Sequence, residues 1–150
     1  MSDIKTRLHN LCLTYADERI ATATEAIKAA RDSSTDDTKS SAGDKYETGR
    51  AMMQLDIDRQ TTQLVEAQKL KMFLDRMAPE NVSDTVQNGS LAYTNQGTFY
   101  LAISIGQVDL DGQKYFVISA ASPIGAQLMK QKTGAKFSFN GKAYEIKAIE

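Results

Sequence analysis

Two long helix-forming stretches, roughly residues 3–32 and 44–78, stand on either side of a polar segment rich in Ser, Thr, Asp and Gly. In the first, Ile4, Leu8, Leu11 and Tyr15 form one stripe that drifts to Ala16, Ile20, Ala23, Ile27 and Ala30, a spacing of three and four that is helical. In the second, Tyr46, Met53, Ile57, Leu64, Ala67, Leu74 and Met77 repeat it, with Arg50, Gln60 and Lys71 interrupting the seam. Stripes this narrow suit an antiparallel two-stranded coiled coil. At about 1.5 Å per residue the arms would measure roughly 45 and 50 Å, so they match in length. A hairpin of that length buries little beyond its own partner helix, which points to its turn as the working end.

That turn is acidic. From Asp32 to Glu47 the chain carries Asp32, Asp36, Asp37, Asp44 and Glu47 against Lys39 and Lys45, and such a patch prefers cations or a basic cavity. The rest of the chain is nearly neutral. Residues 1–78 hold 12 basic and 13 acidic side chains and residues 79–150 hold 6 and 6, so overall charge does not favour non-specific duplex binding, although a local basic face remains open.

Eight of the 11 aromatic residues follow residue 90, where the pattern changes. Pro79 ends the second helix, and 79–89 reads as a polar linker. Beyond it come strand-like runs at Leu91–Thr94, Thr98–Ile105, Lys114–Ser119, Phe137–Phe139 and Ala143–Ile149. Asp111-Gly112 and Asn140-Gly141 are hairpin signals, since both dipeptides tolerate the positive φ that tight turns need. Ser122 can cap a helix that starts at Pro123 and runs through Ile124, Leu128 and Met129, with Gly134 shortly after its end. The expected fold class is α+β: a helical hairpin over 1–78 with its tip at about 33–47, then a small sheet with one helix over 90–150.

The single cysteine, Cys12, lies among Leu8, Leu11 and Tyr15 and reads as a small buried hydrophobe, so no internal disulfide is expected and a reducing, cytoplasmic setting fits. No apolar run approaches the ~20 residues that span a bilayer. His9, near Lys5 and Arg7, reads as a solvated residue rather than a base or metal ligand. Met52, Met53, Met72 and Met77 fall at helical spacing, where packing is the ordinary explanation.

The run Ser122-Pro123-Ile124-Gly125-Ala126-Gln127-Leu128, then Gly134, a short strand, an Asn-Gly turn and Tyr144-Glu145-Ile146, resembles the C-terminal domain of the Gre transcript-cleavage factors of bacterial RNA polymerase. Within the hairpin, Gly43-Asp44-Lys45-Tyr46-Glu47 is similar to that family's tip pattern Gly-Asp-x-x-Glu. After it the chain departs, reading Thr48-Gly49-Arg50-Ala51 where the family usually continues with Asn and Ala. The resemblance implies an FKBP-like C-terminal domain that docks on the polymerase and a coiled coil that enters its secondary channel. It further implies that Asp44 and Glu47 help to hold a catalytic Mg²⁺ shared with the polymerase, so that extruded, backtracked RNA is cleaved. The factor would then be no enzyme itself, but a monomeric, cytoplasmic stimulator of the polymerase's own cleavage activity, meeting nascent RNA only through the elongation complex and no membrane.

Two carboxylates suit that chemistry, because a second metal at a polymerase centre stabilises the attacking or leaving oxygen, and Mg²⁺ takes one or two carboxylates beside water and phosphate oxygens. Asp36 and Asp37 are alternative tip acids. An Asp at a helix start with Glu three residues on is equally a capping box, and a capping carboxylate keeps one oxygen free for a metal. Three other readings stay open: a channel binder that inhibits without stimulating cleavage, a purely structural coiled-coil module, and a prolyl isomerase suggested by the FKBP-like domain.

Overall fold

The computed structural model describes residues 3–40 and 44–150, and the side chains of 3–33 and 48–150. Helix α1 spans Asp3–Ser40 and α2 spans Asp44–Arg76, followed by strands β1 (Leu91–Thr94), β2 (Gly97–Leu101), β3 (Gly106–Leu110) and β4 (Gln113–Ile118). A short helix α3 (Pro123–Leu128) and strands β5 (Lys136–Phe139) and β6 (Lys142–Ile149) complete the chain. The class is α+β, as the sequence predicts.

Helix α1 runs eight residues past the expected break at Asp32. Ser, Thr and Asp lower helix propensity by only about 0.5 kcal/mol each relative to Ala. Neither Gly nor Pro occurs in α1, so no strong breaker acts inside it. Asp36 and Asp37 therefore belong to a helix rather than to an irregular turn.

By packing, the described residues fall into two compact units: 14–72, and 3–13 together with 73–150. In the first, α1 and α2 pack against each other. Ala16, Ala23 and Ile27 are buried and Ile20 and Ala30 half-buried on α1; Ala67 is buried and Met53, Ile57, Gln60, Leu64 and Lys71 half-buried on α2. These are the predicted stripes. Lys71 escapes an ion-desolvation cost by reaching Asp17 at 2.6 Å, and Arg19 donates to Gln63 at 3.2 Å.

In the second unit a six-stranded mixed sheet has the order β3-β4-β2-β1-β6-β5, with only β2 and β4 parallel. Three hairpins build it. At two of them the predicted dipeptides adopt left-handed backbone, Asp111 and Gly112 at φ 52° and 79°, Asn140 and Gly141 at 50° and 76°, as a type I′ turn requires. Strand β3 is the element the sequence hides, because only Val108 and Leu110 are large and apolar among its five residues and it is an edge strand held by β4 alone.

Side chains alternate across this sheet, so it has two buried faces. One gathers Ala92, Phe99, Leu101 and Ile146 with Leu128 of α3 and Val86 of the segment before β1. The other carries Tyr100, fully buried, which meets His9 from the first turns of α1. Segment 79–89, read as a polar linker, contributes Val86 to the core and pairs it with the loop after α3 through Val86 N–Gln131 O (2.9 Å) and Lys130 N–Val86 O (2.8 Å).

Helix α3 starts as expected: Ser122 Oγ accepts from the Gly125 amide at 3.1 Å and Pro123 sits in the first turn. It stops at Leu128, one turn and a half long. Gly125 is forced by space, since a Cβ there would stand 2.0 Å from the Ser119 carbonyl oxygen.

Candidate functional site

The backbone places the predicted acids at one end of the helical pair. Asp36 and Asp37 lie in the closing turns of α1, Asp44 is the first residue of α2, and Glu47 falls three residues later in its opening turn. The side chains of all four lie outside the described residues, as do those of Lys39, Lys45 and Tyr46. The backbone thus sets Asp44 and Glu47 within one turn of α2, and Asp36 and Asp37 on the other helix. Carboxylates in a first helical turn are also favoured by the exposed amides and the positive end of the helix dipole. Two carboxylates alone are too few ligands to hold Mg²⁺. Among the described residues no group of three or more His, Cys, Asp or Glu side chains could hold a metal.

The titratable groups of the sheet unit serve packing. His9 is not solvated as expected: it is half-buried, with Nδ1 2.9 Å from the Tyr100 hydroxyl and the two rings edge to face at 6.3 Å. Burial holds its pKa below the usual histidine value, with Asp75 and Glu80 pulling weakly the other way. The sequence could not reveal this, because Tyr100 is 91 residues away. Cys12 is fully buried, and burial pushes its thiol up to about 12, so at neutral pH it is a hydrophobe and no nucleophile. Burial likewise raises Tyr100 and, joined by a 3.0 Å hydrogen bond to Glu150, lifts Tyr93 to about 12. Lys5, 1 % exposed, donates to the Asn81 carbonyl at 3.3 Å, and burial lowers its pKa against the opposing pull of Glu150 and Glu80. At the surface, Arg7 grips Asp111 at 2.6 and 3.3 Å, which raises the guanidinium and holds the carboxyl below its ordinary range.

Open grooves lie on both units, two of them beside polar side chains. One, about 340 Å³, lies along the helical pair where Arg19 stacks over Tyr15 at 5.5 Å, beside Thr22, Gln60 and Gln63. The other, about 450 Å³, lies on the β5–β6 hairpin between Asn95, Lys136, Ser138 and Ala143.

No protein-family model, curated protein or solved structure matches the chain. The functional reading therefore stands on the placement of residues within the fold. No helix among the described residues is long and apolar enough to cross a membrane.

Proposed function

We propose that the protein is a divergent Gre-like factor that binds bacterial RNA polymerase and presents Asp44 and Glu47 to the Mg²⁺ of its active centre, promoting cleavage of backtracked RNA. In this reading α1 and α2 are an antiparallel coiled coil that enters the secondary channel, and the sheet unit is an FKBP-like docking domain. The observation that supports it is the start of α2 at Asp44, so that Asp44 and Glu47 of the Gly-Asp-x-x-Glu pattern fall in the opening turn of a long helix. The seam supports the coiled coil, because its buried and half-buried positions step by four and three along both helices. The order of parts, a helical pair and then a sheet with a Ser-Pro-capped helix, supports the family reading.

Chemically, the two carboxylates add negative charge and water-ordering oxygens beside a metal that the polymerase already binds. When bound, a second Mg²⁺ at that centre stabilises the oxygens that attack and leave the phosphorus. The acids' own task is to hold the ion or its water shell. Adding the protein to a stalled, backtracked elongation complex should shorten the RNA 3′ end rapidly. Asp44→Ala and Glu47→Ala should each abolish the shortening while polymerase binding persists. Binding without shortening by the unsubstituted protein would replace this reading with an inhibitory or purely structural channel binder, and turnover of a proline peptide alone would replace it with an isomerase.

A further inference from the structure

The balanced charge of the C-terminal half conceals a local imbalance. Between Lys130 and Lys147 the chain carries five lysines, Lys130, Lys132, Lys136, Lys142 and Lys147, and one acid, Glu145. All five lysines are exposed. Glu145 lies 3.7 Å from Lys147 and is the cross-strand partner of Lys136, so Lys130, Lys132 and Lys142 have no acid beside them in the segment.

The same hairpin carries a row of rings. Phe137 and Tyr144 are cross-strand partners whose rings lie 5.1 Å apart and parallel to within 2°, and Phe139 meets Tyr144 edge-on at 6.4 Å. All three are half-buried: Phe137 and Tyr144 pack on one side against the core cluster around Phe99, and each of the three keeps part of its surface in solvent. Lys142 pairs with Phe139 across the strands and so stands on the ring face. Lys136 pairs with Glu145 on the opposite face, where both line the 450 Å³ groove with Asn95 and Ser138. Strand β5 is the edge of the sheet, so one extended ligand can pass over it and touch both faces.

From this arrangement we infer that the β5–β6 hairpin is a binding site for single-stranded nucleic acid, with Phe137, Phe139 and Tyr144 as the stacking platform and Lys130, Lys132, Lys136 and Lys142 as phosphate contacts. Rings separate this ligand from an acidic polypeptide, since every base offers a π-face and a glutamate chain offers none. Unpaired lysines separate it from an apolar partner, because phosphate contacts release condensed counterions. A duplex is disfavoured, as its bases are stacked on one another and closed to the rings. This site is independent of the tip acids.

Fluorescence anisotropy of the full chain with labelled 12-nucleotide oligouridine and oligothymidine at low salt tests it. Both single strands should bind, or oligouridine alone if the ligand is RNA, and a 12-base-pair duplex should bind at least ten-fold more weakly. The logarithm of affinity should fall with the logarithm of salt at a slope of about −3, as four phosphate contacts give. Lys136→Glu combined with Lys142→Glu should weaken binding more than ten-fold, and Phe139→Ala by roughly five- to twenty-fold. Circular dichroism of these surface variants should match the parent. Asp44→Ala with Glu47→Ala should bind the oligonucleotides unchanged, whatever it does to RNA cleavage. No binding at about 100 μM protein, variants that bind like the parent, equal binding of duplex, or loss of binding in the tip variant would overturn the inference. So would displacement of the oligonucleotide by polyglutamate of equal charge.

Discussion

The helical pair and the sheet unit are built from different materials. Among the described residues of 14–72 the buried positions are Ala16, Ala23, Ile27 and Ala67, with Gln60 and Lys71 in the seam, and Met52 and Leu55 are each 66 % exposed. Around the sheet the buried positions are Leu8, Leu74, Leu91, Tyr100, Leu101, Val117, Leu128 and Ile146. At about 25 cal/mol per Å² of apolar surface removed from water, a buried Leu contributes roughly 2 kcal/mol and a buried Ala far less. Alanines let two helices approach closely and polar seam residues fix their register, so the pair is specified more firmly than it is stabilised. The sheet unit supplies the stability.

The largest effect that would break this contrast concerns α3. Gly125→Ala should destabilise the protein by about 3 kcal/mol or more, because the new methyl meets the Ser119 carbonyl, a backbone group that cannot swing aside, as well as the Ser122 hydroxyl. Thermal melting followed by circular dichroism reads it, and an unchanged midpoint would show that the turn before α3 yields freely. Next in size, Leu101→Ala should cost about 3 kcal/mol and Ile27→Ala only about 2, since Leu101 is enclosed on every side and Ile27 is 8 % exposed on a two-helix seam. Equal costs in urea unfolding would erase the difference between the units.

Smaller changes sharpen it. Gln60→Leu should stabilise the helical pair by about 1 kcal/mol, by replacing a half-buried amide in the seam with an apolar side chain. Slower amide exchange confined to residues 14–72 is the expected signature, and exchange slowed throughout the chain would argue for a single cooperative unit. The smallest effect is that of His9. Its folded pKa lies below the usual 6.5, so as pH falls under that value the unfolded chain takes up a proton that the folded one resists. Stability is complete above about pH 6.5 and declines from there towards the folded pKa. His9→Gln should flatten the melting temperature across that window, and an unaltered slope would mean that another group sets it.

Much of the architecture was legible because it is written locally. Both left-handed turns, the Ser122-Pro123 helix start and the two helical stripes each depend on a few neighbouring residues. What was hidden depends on distance. His9 looks like a solvated helix residue until Tyr100 of the sheet, 91 residues away, closes over it, and Lys5 is buried where it reaches the Asn81 carbonyl, 76 residues away. Strand β3 looks like a loop until β4 pairs with it. The α1 extension to Ser40 was missed for the opposite reason: polar residues were read as a break although they are only weak helix formers. At the candidate site, sequence spacing placed Asp44 and Glu47 on one turn and α2 begins there. The lysine cluster went unnoticed because charges were summed over the whole C-terminal half, where six acids cancel six bases.

The central claim, that Asp44 and Glu47 serve a metal rather than merely cap α2, is tested most directly by the Mg²⁺ dependence of RNA cleavage in a backtracked complex. With the protein bound, half-maximal cleavage should need at least ten-fold less Mg²⁺ than without it, and Asp44→Asn with Glu47→Gln should restore the higher requirement while still binding the polymerase. An unchanged Mg²⁺ requirement, or one lowered equally by the amide variant, would contradict the account.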